Sequence, residues 1–190
     1  MKLPYPFRIE SARLLLKSPS EADASLRAVA INESLEELRP WMPWANHRLN
    51  EEEEIENCRK AEANFKEGSD YLLHIFLKDS LTFIGGTGLH RGDWSVPSAE
   101  IGYWIRTRFS GCGYVTEAVA TLTRYALTEL HMKRVEIRMS TKNIRSRRIP
   151  ERLGYKLEGV LRNDSRHVDG SLRDTCVFSL IDKDSNRIVS

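Results

Sequence analysis

Two glycines one residue apart, Gly111 and Gly113, separate an apolar run, Glu100 to Ile105, from a segment that reads as a helix start at Tyr114. A loop of that composition opening a helix suits an anion: bare backbone N–H groups converge there and the helix dipole favours negative charge. The chemistry this predicts is the holding of a phosphate-bearing cofactor. The loop is not one of the common nucleotide patterns. GxGxxG would need glycine where Thr116 stands, and the Gly-Lys-Ser/Thr of a P-loop is absent.

Other groups with chemical potential have plainer readings. Gly85, Gly86 and Gly88 suggest a second phosphate loop, but no helix signal follows them, which predicts close backbone approach or a bulge within a strand. The run Glu51 to Glu54 resembles a cation site, yet acids in the first turn behind an Asn50 cap stabilise a helix, with Ile55, Cys58 and Phe65 as its buried stripe. His74 and His90 lie too far apart for a metal signature and lack cysteine or acidic companions, so they read as structural or solvated, and no metal is expected. Trp41 and Trp44 stand in the stiff segment RPWMPWA, where they either fill a core or line a cleft.

The elements that must position these residues follow from periodicity and breakers. Leu14 to Leu16 reads as a strand, and Ser20 as the cap of a helix with Glu21 and Asp23 in its first turn and Leu26, Val29 and Ala30 at helical spacing. A short helix carrying Leu35 and Leu38 stops before Pro40, and the helix from Glu51 ends at Gly68 to Asp70. Tyr71 to Leu77 and Leu81 to Leu89 form a hairpin about Lys78-Asp79-Ser80. The central strand puts Glu100, Gly102 and Trp104 on one face and Ile101, Tyr103 and Ile105 on the other. A helix carrying Val119, Leu122 and Leu127 follows, then a strand from Lys133 to Met139 with Val135, Ile137 and Met139 inward. A helix lies within Asn143 to Leu153 and stops at Gly154, its start pushed towards Ser146 by Pro150, and the strands Tyr155 to Leu161 and Arg173 to Ile181 are joined through Asp169-Gly170. This order predicts an α/β (α+β) chain, a mixed sheet covered by helices on both faces.

Composition sets the outer bounds. With 190 residues and 41% hydrophobic content, one domain over residues 1–190 is expected. A formal charge of +2 from 29 basic and 27 acidic residues demands neither nucleic acid nor an anionic membrane. Three scattered cysteines fit a reducing cytoplasm, and the absence of any signal-peptide or membrane-spanning run predicts a soluble, unexported chain.

Arg108-Phe109-Ser110-Gly111-Cys112-Gly113 matches Q/R-x-x-G-x-G/A and resembles the pyrophosphate loop of the GNAT superfamily of acyl-CoA-dependent N-acetyltransferases. AEIGYWI before it, GYVTEAV after it, N-x-x-S at Asn143 and Ser146, then IPERLGY and LEG, with RPWMPW earlier, resemble the branch of RimJ and RimL type ribosomal-protein N-terminal acetyltransferases. The likeness covers nearly the whole chain. It implies the GNAT fold, a central mixed, mostly antiparallel sheet with splayed strands, and acetyl-CoA as cosubstrate. It further implies that Phe109 to Tyr114 hold the pyrophosphate, beside Arg108 and with Thr116 as a hydroxyl donor. Trp104 and Ile105 would lay out the pantetheine arm and Asn143 would hydrogen-bond it.

On the same resemblance Glu100 is the candidate base, relaying a proton through water, with an ion pair on the sheet as its alternative. Ser146 would protonate or orient the departing thiolate, with a helix cap as its alternative. Tyr155 stands where relatives usually carry Phe and is not assigned an acid role, and Cys112, inside the loop, is no nucleophile, so no acyl-enzyme is expected. Trp41, Trp44 and the hairpin around Asp164 to Asp169 would form the acceptor pocket, with the relatives' acidic residue near Ser165 displaced to Asp164. Lys142, Arg145, Arg147 and Arg148 read as coenzyme contacts or solvated surface rather than a nucleic-acid site. The expected acceptor is a protein N-terminus, ribosomal in particular. A small amine such as an antibiotic or polyamine, or a non-catalytic acyl-CoA-binding module, remain alternatives, and the acceptor's identity and the oligomeric state, a homodimer included, stay open.

Overall fold

The computed structural model of the chain describes residues 2–187. Its strands are β1 (Arg8–Glu10), β2 (Leu14–Lys17), β3 (Tyr71–Leu77), β4 (Phe83–Asp93), β5 (Ser98–Ile105), β6 (Arg134–Ser140), β7 (Lys156–Arg166) and β8 (Leu172–Ile181). Its helices are α1 (Ala24–Glu33), α2 (Leu35–Leu38), α3 (Glu51–Glu67), α4 (Tyr114–Thr128) and α5 (Ile144–Arg152), with 3₁₀ turns at Glu21–Asp23, Thr107–Phe109 and Asp182–Arg187. The strands form one sheet in the order β1-β2-β3-β4-β5-β6-β8-β7, antiparallel everywhere except between β5 and β6.

Strand alternation decides what each face buries. Leu73, Ile75, Leu89 and Ile101 meet Val119, Leu122 and Ala126 of α4 in the larger core, which is joined by Val135, Ile137 and Met139 of β6. On the opposite face Phe76, Phe83 and Trp104 meet Ile31, Leu35 and Leu38 of α1 and α2. Trp104 is thereby buried, its ring 5.8 Å from that of Phe83.

Several elements depart from the sequence-based expectation. Leu26 and Val29 are about half exposed, and α1 instead buries Ala24, Ala28, Ala30 and Ile31. Ser20 does cap, accepting from the Ala22 N–H, but what it opens is a 3₁₀ turn leading into α1. The capping box of Asn50 and Glu53 forms at the start of α3 as a helix-stabilising device, yet the next acid, Glu54, is wholly buried against Arg27 and Asn57. The strand expected at Leu81 begins at Phe83 and runs on to Asp93, carrying His90 into the sheet. β7 likewise extends past Leu161 to Arg166, and the short edge strand β1 had no marked apolar pattern to announce it.

Helix α5 starts at Ile144, two residues before the expected position, because the Asn143 side chain caps it by accepting from the Ser146 N–H. Pro150 then lies inside the helix and cannot donate to the carbonyl four residues back, that of Ser146. The Tyr103 hydroxyl, 3.0 Å away, takes over as donor to that carbonyl.

Candidate active site

The site begins where the sheet divides. β5 and β6 are register partners only at Ser98–Arg134, Ala99–Val135 and Glu100–Glu136. Beyond Glu100, β5 follows β4 as far as Ile105–Gly85, while β6 follows β8 as far as Ser140–Thr175. The facing edges of the two strands therefore diverge into a wedge, and backbone groups of β5 that β6 would have bound are left for an extended ligand. A cleft of about 400 Å³ occupies the wedge, lined by Gly102, Tyr103 and Trp104 from β5 and by Ile137, Met139 and Ser140 from β6.

Past the splayed end of β5, at Ile105, the chain turns into α4 through the glycine loop. Gly111 and Gly113 take φ of +78° and +81°, the left-handed region where a side chain strains the backbone. Gly113 is the N-cap of α4 and no side chain caps the helix. Among the described residues no intramolecular hydrogen bond occupies the N–H groups of Gly111, Cys112 or Gly113, and the first turn of a helix leaves further N–H groups orphaned. The arrangement fits a phosphate by donor chemistry and by dipole.

The loop is anchored from two sides. Arg13 donates to the Cys112 carbonyl at 3.1 Å and to Glu117 at 2.6 Å, and its guanidinium lies 4.4 Å from the Tyr114 ring centroid. Before the loop, buried Arg106 forks onto both oxygens of Glu33 at 2.6 and 2.7 Å, and the Thr107 N–H donates to Ser34. Neither anchor was visible in the sequence, because the partners are about 70 to 100 residues apart along the chain.

The residues of the chain's two most suggestive segments meet in the cleft. Ser146 and Asn143 line it from α5, Glu100 from β5, and Trp41 and Trp44 from the segment after α2. The tryptophans are therefore cleft walls: Trp44 packs edge-on against Trp104 with centroids 5.7 Å apart, and Trp41 meets His167 of the β7–β8 connection at 6.5 Å.

The model of the Acetyltransferase (GNAT) domain matches residues 13–156, most of the chain. The chain belongs to the GNAT family. It is 40% identical over 100 residues to the Bacillus subtilis (strain 168) protein named "Putative ribosomal N-acetyltransferase YdaF", an alignment covering 53% of this chain and only about half, 54%, of that relative. It is 27% identical over 186 residues, 93% of this chain and 92% of the relative, to the ribosomal protein uS5-alanine N-acetyltransferase of Escherichia coli (strain K12). In fold it matches Mycobacterium smegmatis RimJ in complex with CoA-disulfide with a TM-score of 0.87, over 98% of this chain and 95% of that one at 21% identity. The mixed, mostly antiparallel sheet with a splayed parallel pair is thus the GNAT fold.

Within this GNAT domain Ser146 is relieved of capping, since Asn143 fills that role, and its hydroxyl lies 3.0 Å from the Tyr103 hydroxyl. Tyr103 must donate to the Ser146 carbonyl, which can only accept, so its own oxygen is left to accept from Ser146 Oγ. Burial holds the Tyr103 phenol well above its ordinary range, so it remains a neutral donor. Glu100 is ion-paired with Arg91 at 3.0 Å, the alternative weighed for it, and yet faces the cleft. Burial raises its carboxyl above the ordinary range, outweighing the nearby Arg91 and Arg138 guanidiniums.

Other expectations fall away from the cleft. The Tyr155 hydroxyl is buried against Thr123 at 2.6 Å, and Cys112 is exposed in the loop. Asp164 lies 3.8 Å from Arg138, a cleft-lining residue. Lys142, Arg145 and Arg148 are exposed, and Arg147 pairs with Glu151 along α5. The three glycines of β4 behave as close-approach positions: a Cβ at Gly85 would stand 2.3 Å from the Trp104 carbonyl oxygen, and one at Gly86 2.7 Å from the Trp104 indole nitrogen. The histidines do have acidic companions, contrary to expectation. His74 is buried on Asp23 at 2.9 Å, and His90 bonds Asp70 at 2.6 Å. Among the described residues no group of three or more His, Cys, Asp or Glu is placed to hold a metal ion, and no helix is long and apolar enough to cross a membrane.

Proposed function

We propose that the chain transfers an acetyl group from acetyl-CoA directly to a primary amine, and that the amine is the α-amino group of a protein N-terminus, ribosomal in particular. The observation that carries the reading is the pairing of an uncapped helix start with a wedge between two strands, in one continuous path. The N–H groups from Phe109 to Tyr114 would hold the pyrophosphate, with Arg108 and the Thr116 hydroxyl beside them. The arm would add to the open edge at Trp104 and Ile105, and the amide nitrogen of Asn143, whose oxygen is already used and which has no partner among the described residues, would donate to it. Relatives named as ribosomal-protein acetyltransferases, and the CoA-bound RimJ of the same fold, support both the cofactor and the acceptor class.

The chemistry needs a neutral nitrogen, a polarised carbonyl and a proton for the thiolate. Glu100 offers the incoming ammonium a carboxylate to which a proton passes through water. Ser146, on the opposite wall, faces the departing sulfur. An α-amino group with pKa about 7.7 to 8.0 is on the order of 10 to 20% neutral at pH 7, whereas a lysine near 10.4 is neutral about four times in ten thousand. A site with one modest carboxylate suits the first. The working place that follows is the cytoplasm, where nascent and ribosomal N-termini are found.

The test is thiol release from acetyl-CoA with ribosomal N-terminal peptides, N-blocked lysine peptides, polyamines and aminoglycosides. Release with the first group and acetylation mapped to the α-nitrogen are expected. Release only with small amines would overturn the acceptor class. Tight acetyl-CoA binding without release for any amine would leave a binding module.

A further inference from the structure

The cleft contains a second titratable pair that this reaction scheme has not used. His90 lines the main cleft, and Asp70, just before β3, lines a smaller adjoining cavity of about 210 Å³. The two bond through His90 Nδ1 and Asp70 Oδ1 at 2.6 Å. A carboxylate at that distance holds the proton on Nδ1 and leaves Nε2 with a lone pair to accept one. Among the described residues no hydrogen bond occupies Nε2.

The ring sits in a slot that two glycines make. A Cβ at Gly88 would stand 2.8 Å from both Cε1 and Nε2, and one at Gly102 would stand 3.2 Å from Cδ2 and 3.3 Å from Nε2. A side chain at Gly88 would displace the imidazole and would also meet the Tyr71 backbone carbonyl oxygen at 2.7 Å, and one at Gly102 would press the ring by a few tenths of an ångström. His90 is also the register partner of Glu100 across β4 and β5, so the two side chains stand on the same face of the sheet as neighbours. The His90 side chain is 28% exposed, open enough to meet a ligand and enclosed enough to be held.

We propose that His90, oriented by Asp70, is the general base that takes the acceptor's proton, with Glu100 holding the ammonium beside it. The inference rests on the acetyl-transfer reading. The ammonium gives one proton to Nε2, and the imidazolium so formed keeps its Nδ1–H on Asp70. The neutral nitrogen bonds to the thioester carbon, its second proton leaves through water by way of Glu100, and the C–S bond breaks. The Ser146 hydroxyl turns from Tyr103 to give its proton to the thiolate and takes one back from water, and the imidazolium returns its proton to solvent, leaving N-acetyl product and free thiol. Asp70 touches no reacting atom and is a positioning residue.

The test compares the native chain with H90A, H90Q and D70N by thiol release and by direct acetyl-CoA binding. The expected result is acetyl-CoA affinity within about twofold of native, and acceptor turnover about 10²- to 10⁴-fold lower in H90A and H90Q. Added imidazole should restore H90A activity, with a rescue rate that rises with the basicity of the imidazole used. D70N should fall less than H90A and should not respond to imidazole. H90Q, which keeps bulk in the slot, carries the test if H90A does not fold. Turnover within threefold of native in either His90 variant would overturn the proposal, as would a loss without imidazole rescue in a folded H90A. If the native chain itself releases no thiol with any amine, the acetyl-transfer reading fails first, and that failure is seen before any variant is made.

Discussion

The two halves of the cleft are built by different means. The half proposed for the cofactor is made of backbone: an uncapped helix start, two glycines in the left-handed region and an unpaired strand edge. The half proposed for the acceptor is made of side chains brought from separate parts of the chain, with Trp41 and Trp44 after α2, Asp70 before β3, His90 on β4 and Glu100 on β5. A backbone site needs only a contiguous stretch with the right conformational permissions, while a side-chain site needs the whole fold to assemble it. The two halves should accordingly respond to different substitutions, and their separability can be attacked directly.

The largest effect is expected at the loop. Gly111→Asp forces a side chain into the left-handed region at about 1–2 kcal/mol and sets a like charge beside the phosphates, so acetyl-CoA affinity should fall on the order of 100-fold or more, read by calorimetry. Open space surrounds that position, so the fold itself should survive. Loss of acceptor-peptide binding in the same variant would break the separation between the halves.

Next comes the residue at their junction. Ser146→Ala should lower kcat about 10²-fold, within the range of a proton-transfer role, with little change in acetyl-CoA affinity. A capping role would instead appear as a drop in Tm at unchanged kcat. On the acceptor side Trp44→Ala should raise the acceptor KM about 10-fold, the loss of roughly 1.4 kcal/mol of aromatic contact, and leave acetyl-CoA binding as it was. An equal effect on both ligands would merge the two halves into one.

The smallest effect concerns Glu100 and stability. Its folded-state carboxyl titrates above the unfolded value, so the folded state favours the protonated form. Its contribution to stability is full below the ordinary glutamate pKa and is lost as pH rises through the raised value. Glu100→Gln should therefore show a Tm at neutral pH no lower than native, with any advantage disappearing in acid, while turnover falls chiefly at lower pH where the acceptor is protonated. A lower Tm for the variant at neutral pH would mean that the Arg91 ion pair outweighs the burial of the charge.

The same contrast explains what could be read from the chain beforehand. Gly111, Gly113 and the apolar run before them are neighbours in sequence, so the glycine loop opening α4 was legible, as were the hairpin of β3 and β4 and the central strand. Asn143 and Ser146 were legible as a pair through their spacing, although which of them caps α5 was not, because both residue types cap helices and the partner of the Ser146 hydroxyl, Tyr103, comes from across the wedge. His90 read as a lone histidine because its carboxylate stands 20 residues away on the neighbouring strand's approach. Gly102 was the available signal: it stands in a strand where a Cβ would meet only the His90 ring, whereas Gly88 is required by the Tyr71 backbone carbonyl as well. Arg13, Arg106 and buried Glu54 carried no comparable sign, since a charged residue's burial is decided by partners that the fold brings to it.

Backbone amide hydrogen exchange tests the division most directly. Acetyl-CoA alone should slow exchange at residues 109–116 and along 102–105, and leave residues 41–44 and 88–90 unchanged. A ribosomal N-terminal peptide added afterwards should then slow exchange in the second group. Protection of residues 41–44 and 88–90 by acetyl-CoA, with none at residues 109–116, would contradict the account.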